Sequence, residues 1–252
     1  MGGDDCQMSK FFVNDENIEN NIINITGQDF NHIKNVLRLK VGDNIIVSNG
    51  KEIEFDTKIV NFTNNSVEAE ILNQHSTQNE PSVKITLFQG LPKSDRMELI
   101  IQKAVEIGIY QIVPVLTERV VVKVDEKNAK KKTERWEKIA EQASKQSGRN
   151  IIPEVSTPIA YKDAIRMLET YDLIVIFYEK EQNKTLKELL NNLDKKPNNI
   201  AIFIGPEGGF SESEIELVKQ FNLATLGPRI LRTETAGLIS TAVILYHMGD
   251  LG

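Results

Sequence analysis

The sequence predicts an α/β protein in which a small β-rich unit precedes a larger unit built on a parallel sheet. Up to residue 72 the apolar runs are short and are separated by Asn-Gly and Asn-Asn pairs, which is typical of tight hairpins. After residue 81 apolar runs alternate with amphipathic segments, which is typical of parallel strands covered by helices on both faces. Polar residues dominate positions 73–81 and predict a linker between the two units.

The first unit, expected over residues 8–73, contains three predicted strands at residues 43–48, 53–60 and 67–72. One predicted helix, residues 28–37, interrupts this β-rich unit. Short strands around a single helix indicate a small barrel.

The second unit, expected over residues 81–252, alternates strands with helices. Strands are predicted at residues 83–89, 111–115, 173–177, 200–204 and 224–226, and helices at 96–107, 133–147, 161–170, 186–193, 212–221 and 233–248. Apolar residues cover most of the circumference of the last helix, which is more than one amphipathic stripe requires. This pattern predicts burial against its own sheet and a second subunit, or alternatively a central helix in a monomer.

The composition restricts the cellular location of the protein and the kinds of catalysis open to it. The single cysteine, Cys6, falls in residues 1–7, which show no periodicity and which we expect to be an added leader. A disulfide within the chain is excluded and no thiolate is expected in the folded body, which favours a reducing cytoplasm. His32, His75 and His247 lack zinc-ligand spacing, so no metal site is expected. No apolar run approaches the length of a membrane span.

Charge is spread unevenly along the chain. The formal net charge is −6, which argues against an indiscriminate nucleic-acid binder. Residues 127–149 nevertheless hold eight basic and three acidic side chains. This local basic surface suggests selective contact with an anionic partner, and a solvated helix face is the alternative.

Two turns carry the most specific signal. Residues 204–210 (Ile-Gly-Pro-Glu-Gly-Gly-Phe) and 226–236 (Leu-Gly-Pro-Arg-Ile-Leu-Arg-Thr-Glu-Thr-Ala) each follow a predicted strand and lead into a helix. Because ligands bind at the carboxyl ends of strands in open α/β sheets, the pair predicts one small-molecule site built from loop backbone. We expect a positive φ at Gly208, where a side chain would also block the ligand; glycine needed only for turn geometry is the alternative. The absence of a P-loop lysine opposes a phosphate-cleaving enzyme.

The second turn carries charge beside the predicted helix start. Arg229 and Arg232 are suited to hold a phosphate or a carboxylate in a bidentate grip. Glu234 falls in the first helical turn, where a negative charge is favoured. An Arg–Glu pair that ties the turn to the helix is the structural alternative.

Together the two turns resemble the signature pair of the RsmE family, S-adenosylmethionine-dependent methyltransferases that modify N3 of one uridine in small-subunit ribosomal RNA. Residues 32–38, 102–108, 118–123, 146–150 and 249–252 resemble further family blocks. The resemblance runs from about Lys10 to the C-terminus, with one departure, since an arginine is usual where Lys10 stands. It implies a PUA-like barrel followed by a SPOUT domain with a C-terminal trefoil knot.

The resemblance also implies a homodimer in which S-adenosyl-L-methionine lies in the knot, its adenine held by backbone groups of both turns. The partner is 16S ribosomal RNA or the assembled small ribosomal subunit. Positions assigned to the cofactor are Phe177, Ile204, Gly205, Pro206, Glu207, Gly208, Gly209, Leu226, Gly227, Ile230, Leu231, Thr235 and Ala236. Positions assigned to RNA are Lys10, Arg38, Arg119, Lys123, Lys131, Arg135 and Arg149.

Composition agrees with transfer to nitrogen or oxygen. Methylation at C5 of a pyrimidine usually needs a cysteine nucleophile, which the folded body lacks. Direct transfer needs in-line positioning and removal of one proton. We expect Arg232 to stabilise negative charge on the base, and Glu207 or Glu234 to assist proton removal. Three alternatives stay open: a SPOUT relative acting on a ribose 2′-oxygen, one acting on a tRNA base, and a noncatalytic ribosome-assembly factor.

Overall fold

The computed structural model describes residues 9–51, 53–76, 79–93, 95–120 and 126–252. These residues form two compact units. The first unit contains the residues up to Glu80 together with Ser144–Ile152, and the second contains Pro81–Ala143 and Pro153–Gly252.

The first unit is built on a sheet that, among the described residues, has six strands in the order β1-β4-β5-β6-β3-β2. Strand β1 runs parallel to β4, and the remaining neighbours are antiparallel. Its elements are β1 (Lys10–Phe12), a 3-10 turn (Asp15–Asn17), β2 (Ile18–Glu19), β3 (Ile22–Thr26), α1 (Gly27–Asn31), a π-helical turn (His32–Val36), β4 (Asn44–Ser48), β5 (Ile53–Phe62) and β6 (Ser66–Ser76).

The three predicted strands are confirmed as β4, β5 and β6, and the predicted helix as α1 with its π-helical extension. Strands β1 to β3 were not predicted. Strand β1 lacks a hairpin signal, and the Asn20-Asn21 pair that turns β2 into β3, with φ +48° and +69°, was missed because the strands beside it are so short. The predicted linker is wrong at its start, since β6 continues to Ser76 and pairs there with Ile53 of β5. Alternate residues of these strands close a core around Ile23, Ile45 and Val67, all essentially inaccessible to solvent.

The second unit is a parallel sheet in the order β10-β8-β7-β12-β11-β13, with β9 beside β8, within the described part of the chain. Its strands are β7 (Lys84–Gly90), β8 (Gln111–Leu116), β9 (Glu154–Val155), β10 (Ile159–Ala160), β11 (Leu173–Phe177), β12 (Asn199–Ile204) and β13 (Asn222–Ala224). Its helices are α2 (Arg96–Ile107), α3 (Glu126–Ser147, whose last residues belong to the first unit), α4 (Tyr161–Leu168), α5 (Leu186–Asn191), α6 (Glu212–Val218) and α7 (Thr233–Met248).

Helices cover both faces of this sheet, as predicted. Phe88 packs on one face in an aromatic cluster with Phe203, and Phe203 meets Phe210 edge to face at 5.0 Å between ring centroids. The neighbouring residue Leu87 points to the opposite face, where α7 packs. A Cβ atom on Gly237 of α7 would already lie 3.4 Å from Leu87, so this glycine allows the close approach of helix and sheet.

Most predicted elements of the second unit are confirmed, and their ends differ by a few residues. Helix α3 begins at Glu126, earlier than predicted. Strand β13 ends at Ala224, so the segment predicted as its end, residues 225–226, already belongs to the following turn. Thr225 instead forms an isolated parallel bridge with Thr185 in the loop after β11.

Candidate functional site

A cavity of about 1030 Å³ lies at the carboxyl ends of β11, β12 and β13. Three segments line it: the loop after β11, the turn after β12 and the turn from β13 into α7. The sequence predicted this site from the two turns, and the family resemblance assigned Phe177, at the end of β11, to it as well. The strand order brings the loop after β11 beside both turns. Every position assigned to the cofactor lines the cavity except Thr235, whose main-chain N–H donates to Arg232 O (2.9 Å) at the start of α7.

The turn after β12 is tight because it packs against the end of β7. The N–H of Gly209 donates to Pro206 O (2.9 Å), and Gly209 has φ +66°. The positive φ expected at Gly208 is therefore wrong; the turn places it one residue later. A Cβ atom on Gly90, the last residue of β7, would lie 2.5–2.6 Å from Pro206, so only glycine fits there.

A buried hydrogen-bonded bridge joins the two turns. Thr233 Oγ1 donates to Gly205 O (2.7 Å) and accepts from Gln89 Nε2 (2.8 Å). Gln89 is fully buried in β7, and Thr233 is 7% exposed. Sequence reasoning missed Gln89, and its only signal was a polar residue at the end of an apolar strand. The bridge fixes the start of α7 against the end of β12.

A second brace holds the outer side of the turn after β12. Arg119 Nη1 donates to Gly208 O (2.6 Å). Glu118 Oε2 accepts from Ser211 Oγ (2.6 Å) and Ser213 Oγ (3.0 Å), and these hydrogen bonds hold the pKa of the Glu118 carboxyl below its usual range. Ser211 also forms a capping box with Glu214 at the start of α6. Arg119, assigned to RNA from the family resemblance, thus contacts the turn after β12.

The three side chains expected to act in catalysis line the cavity but differ in their surroundings. Glu207 Oε1 accepts from Arg96 Nη1 (2.6 Å) and from the N–H of Lys93 (3.0 Å). Glu234 Oε2 is buried and has no hydrogen-bond partner among the described residues. Arg232 is exposed, and no described residue forms an ion pair with it. The alternative Arg232–Glu234 pair is therefore not formed in the described part of the chain.

The positions assigned to RNA also differ in exposure. Arg38, at φ +54°, and Lys131 are exposed, and Arg135 Nη2 pairs with Glu98 Oε2 (2.7 Å) at the surface. Lys123 lies outside the described residues.

The remaining two positions, Lys10 and Arg149, are engaged in ion pairs of the first unit. Arg149, 5% exposed, donates through Nε and Nη2 to Glu80 Oε2 at 3.1 and 2.5 Å. Lys10 pairs with Glu54 and donates to Asn150 Oδ1. Because their charges are engaged within the fold, we do not include Lys10 and Arg149 in a phosphate-binding surface.

The cavity suits a ligand that contains a nucleoside. Its volume is in the range of small-molecule sites, and its wall combines the apolar residues Phe177 and Leu226 with polar backbone. Within the described residues, the main-chain N–H groups of Leu226, Ile230 and Leu231 make no hydrogen bond. Such free donors are available to the edge of a purine or to another polar group of a ligand.

Other kinds of site find no support in the part of the chain that the structure describes. No cluster of three or more histidine, cysteine, aspartate or glutamate side chains suited to a metal ion occurs among those residues. None of their helices combines the length and the apolar character needed to cross a membrane.

Comparison with known proteins places this fold and cavity in the class of RNA methyltransferases. A family model described as an RNA methyltransferase domain matches residues 78–245, and one described as an RNA methyltransferase PUA domain matches residues 25–72. The chain is 36% identical to ribosomal RNA small subunit methyltransferase E of Bacillus subtilis, covering 88% of this chain and 89% of that protein.

A further relative and a solved structure show comparable identity over most of the chain. Identity to the Mesomycoplasma hyopneumoniae enzyme of that name is 37%, over 92% of this chain and 96% of that protein. The crystal structure of ribosomal RNA small subunit methyltransferase E from Neisseria gonorrhoeae bound to S-adenosyl methionine superposes with a TM-score of 0.83, at 33% identity, covering 94% of this chain and 96% of that chain. The chain therefore belongs to the ribosomal RNA small subunit methyltransferase E (RsmE) family.

The turn geometry predicts that replacing Gly209 destabilises the protein more than replacing Gly208. Gly209→Ala places a side chain at φ +66°, and its Cβ would lie 2.6 Å from Glu179 Oε1, so we expect a loss of about 1–2 kcal/mol in the free energy of unfolding. Gly208→Ala is the matched control, since Gly208 has no positive φ and its Cβ would meet Arg119 Cβ at 3.3 Å. Urea unfolding measures both; a larger loss for Gly208→Ala would contradict the turn described here.

Proposed function

We propose that this protein is an S-adenosylmethionine-dependent methyltransferase that methylates N3 of one uridine in 16S ribosomal RNA. The observation that carries the proposal is the cavity at the carboxyl ends of β11, β12 and β13, bordered by Arg232 and Glu234. A relative in the same family has been solved with S-adenosyl methionine bound. We also propose residues 8–73 as the RNA-binding PUA-like domain, residues 81–252 as the catalytic domain, and a cytoplasmic location.

The cavity residues divide into those that hold the cofactor and those that face the base. We assign the free N–H groups of Leu226, Ile230 and Leu231 to the adenine, and the turn over residues 205–209 to the rest of the cofactor. When bound, S-adenosylmethionine supplies an electrophilic methyl group on a sulfonium sulfur. The protein has to position uridine N3 in line with that methyl group and take up the N3 proton.

The surroundings of the two carboxylates favour Glu234 over Glu207 as the proton acceptor. Glu207 Oε1 already accepts hydrogen bonds from Arg96 Nη1 and from the N–H of Lys93, so this oxygen is engaged within the protein. Glu234 keeps one buried oxygen without a described partner, so it remains available to accept. The exposed guanidinium of Arg232 is placed two residues earlier and is suited to stabilise negative charge on the uracil ring.

We propose that the chain after β13 forms a trefoil knot. Two contacts support threading at this point. Residues 184–186 bond Thr225 on one side, through Thr225 N to Lys184 O (2.8 Å) and Leu186 N to Thr225 O (3.1 Å). At the other end of the turn, Thr233 is bonded to Gly205. The segment between them therefore lies next to the loops that follow both β11 and β12.

Two measurements test the proposed function together. Isothermal titration calorimetry is expected to show binding of S-adenosylmethionine by the purified protein, and its absence would favour a ribosome-assembly factor. Mass mapping of 16S ribosomal RNA from cells lacking the protein is expected to show loss of one N3-methyluridine, restored by the wild-type gene. Loss of a ribose methyl group or of a tRNA modification would instead identify a different substrate.

We propose that the exposed basic side chains of α3 contact RNA phosphates. In the second unit Trp136 and Ala140 turn inward from α3, whereas Lys127, Lys130 and Lys131 are exposed. In the first unit we keep Arg38 as a candidate contact because its side chain is exposed.

Neutralising two of these charges tests the proposal. We expect Lys130→Gln with Lys131→Gln to reduce the salt dependence of RNA binding by about 1.4 in log–log slope, because each phosphate contact with a single strand contributes about 0.7. Filter binding at several salt concentrations measures the slope. The matched control is Lys162→Gln with Lys187→Gln, two exposed lysines on α4 and α5. If both double variants show the same dependence of RNA binding on salt concentration, the proposal is wrong and this surface is a solvated helix face.

We propose a homodimer that uses the outer face of α7. Ile239, Val243 and Tyr246 lie at helical spacing on this face and are 44%, 40% and 71% exposed. The opposite face, with Gly237 and Ile244, is buried against the sheet and α2. An exposed apolar stripe on an otherwise buried helix is typical of a subunit interface.

Light scattering tests the dimer. The wild-type protein is expected to have twice the mass of one chain at micromolar concentration, and Val243→Glu is expected to halve that mass by placing a charge in the interface. Leu217→Glu on α6 is the control, since Leu217 is a similarly exposed apolar residue outside α7. A wild-type monomer with full activity would refute the proposed dimer.

The proposed role of Arg232 predicts a loss confined to the chemical step. We expect Arg232→Lys to keep its affinity for cofactor and RNA but to lose about a hundredfold in kcat, because lysine cannot reproduce a planar guanidinium fork. Raising the pH is expected to restore part of the rate, since more uracil is then deprotonated in solution. Arg166→Lys, at an exposed arginine of α4, is the control. Single-turnover kinetics measure the step; normal chemistry with lost cofactor binding would make Arg232 structural.

A further inference from the structure

The loop after β11 contributes a carboxylate to the cavity that the chemistry proposed above does not use. Glu179 lies two residues beyond Phe177, the last residue of β11, and it lines the cavity. Phe177 is paired with Ile204, the last residue of β12, in the parallel register. Both strands therefore end at the same level, and Glu179 stands beside the turn that follows β12.

The carboxylate of Glu179 lies directly against Gly209. A Cβ atom on Gly209 would lie 2.6 Å from Oε1 and 3.1 Å from Oε2 of Glu179, which is closer than real Cβ contacts. The missing side chain of Gly209 thus provides the space that this carboxylate occupies. The arrangement holds two oxygen acceptors at the edge of the glycine turn.

The other carboxylates of the loop and the turn already have partners. Glu181 Oε1 accepts from the N–H groups of Asn183 (2.8 Å) and Lys184 (3.2 Å), which shapes the loop. Glu207 is bound by Arg96. No residue within the described ranges hydrogen-bonds or pairs with Glu179, so both of its oxygens remain available to a ligand.

We propose that Glu179 binds the ribose hydroxyls of the adenosyl group, an inference that rests on the cofactor assigned above. In α/β sheets that bind nucleosides, a glycine turn follows one strand and an acidic side chain beyond a neighbouring strand accepts hydrogen bonds from ribose. Here β12 carries the glycine turn and β11, its direct neighbour, leads to Glu179. A carboxylate only accepts, and the ribose diol offers two donors, so the chemistry is complementary.

Three probes that carry an uncharged thioether sulfur distinguish binding of the ribose from binding of the rest of the cofactor. Calorimetry compares S-adenosylhomocysteine, 5′-methylthioadenosine and the 2′,3′-dideoxy analogue of the latter on wild-type and Glu179→Gln protein. We expect the substitution to weaken the first two probes equally, by about tenfold or more, because a charge-assisted hydrogen bond becomes a neutral one. The dideoxy analogue is expected to bind both proteins alike, since it lacks the hydroxyls.

The controls make each result decisive. Glu212→Gln removes the same charge from an exposed carboxylate that pairs with Lys180 outside the cavity, and native affinity is expected. Equal thermal midpoints confirm that the variants are folded. A loss for S-adenosylhomocysteine alone would overturn the inference and assign Glu179 to the ammonium group of the methionine part. Unchanged affinity for every probe would also overturn it, whereas a wild-type protein that binds none of them refutes the proposed function itself.

Discussion

The cavity depends on the hydrogen-bonded bridge from Gln89 through Thr233 to Gly205 O. The bridge is buried, so its polar atoms would cost free energy if any one partner were lost. It holds the start of α7 against the end of β12 and thereby brings the two turns into one wall. Gly90 supports the same arrangement, because a strand end without a side chain leaves room for Pro206 of the turn after β12. The bridge that holds the two turns together is therefore made by uncharged groups.

Four carboxylates line this cavity, and their surroundings rather than their type separate their roles. Glu207 is neutralised by Arg96, and Glu181 holds the N–H groups of its own loop. Glu234 keeps a buried oxygen without a described partner, and Glu179 presents two free oxygens over Gly209. The oxygens of the first two carboxylates are engaged by groups of the protein, so Glu234 and Glu179 remain for chemistry and binding.

The same distinction applies to the basic residues. Arg149 and Lys131 both lie in the basic segment 127–149, and the sequence does not distinguish between them. Arg149 is buried in a bidentate pair with Glu80, whereas Lys131 is exposed. Removing a charge from water is costly unless it is paired, and a buried pair is therefore part of the fold of the first unit. Exposure, which one sequence does not report, decides which positive charges are available to phosphate.

The sequence alone determined the longer strands and helices, the parallel character of the second sheet and the two turns of the site, because local apolar periodicity and glycine positions are sufficient to specify them. The short strands β1 to β3, β9 and β10 carry too few residues for such a pattern and were missed. The family followed from the same two turns. Tertiary structure decided what depends on contacts between distant residues: the positive φ at Gly209 instead of Gly208, the buried bridge of Gln89, the extension of β6 into the predicted linker, and the ion pairs of Lys10 and Arg149. It also placed Glu179 in the site, since parallel strands far apart in the chain end side by side only in the folded sheet.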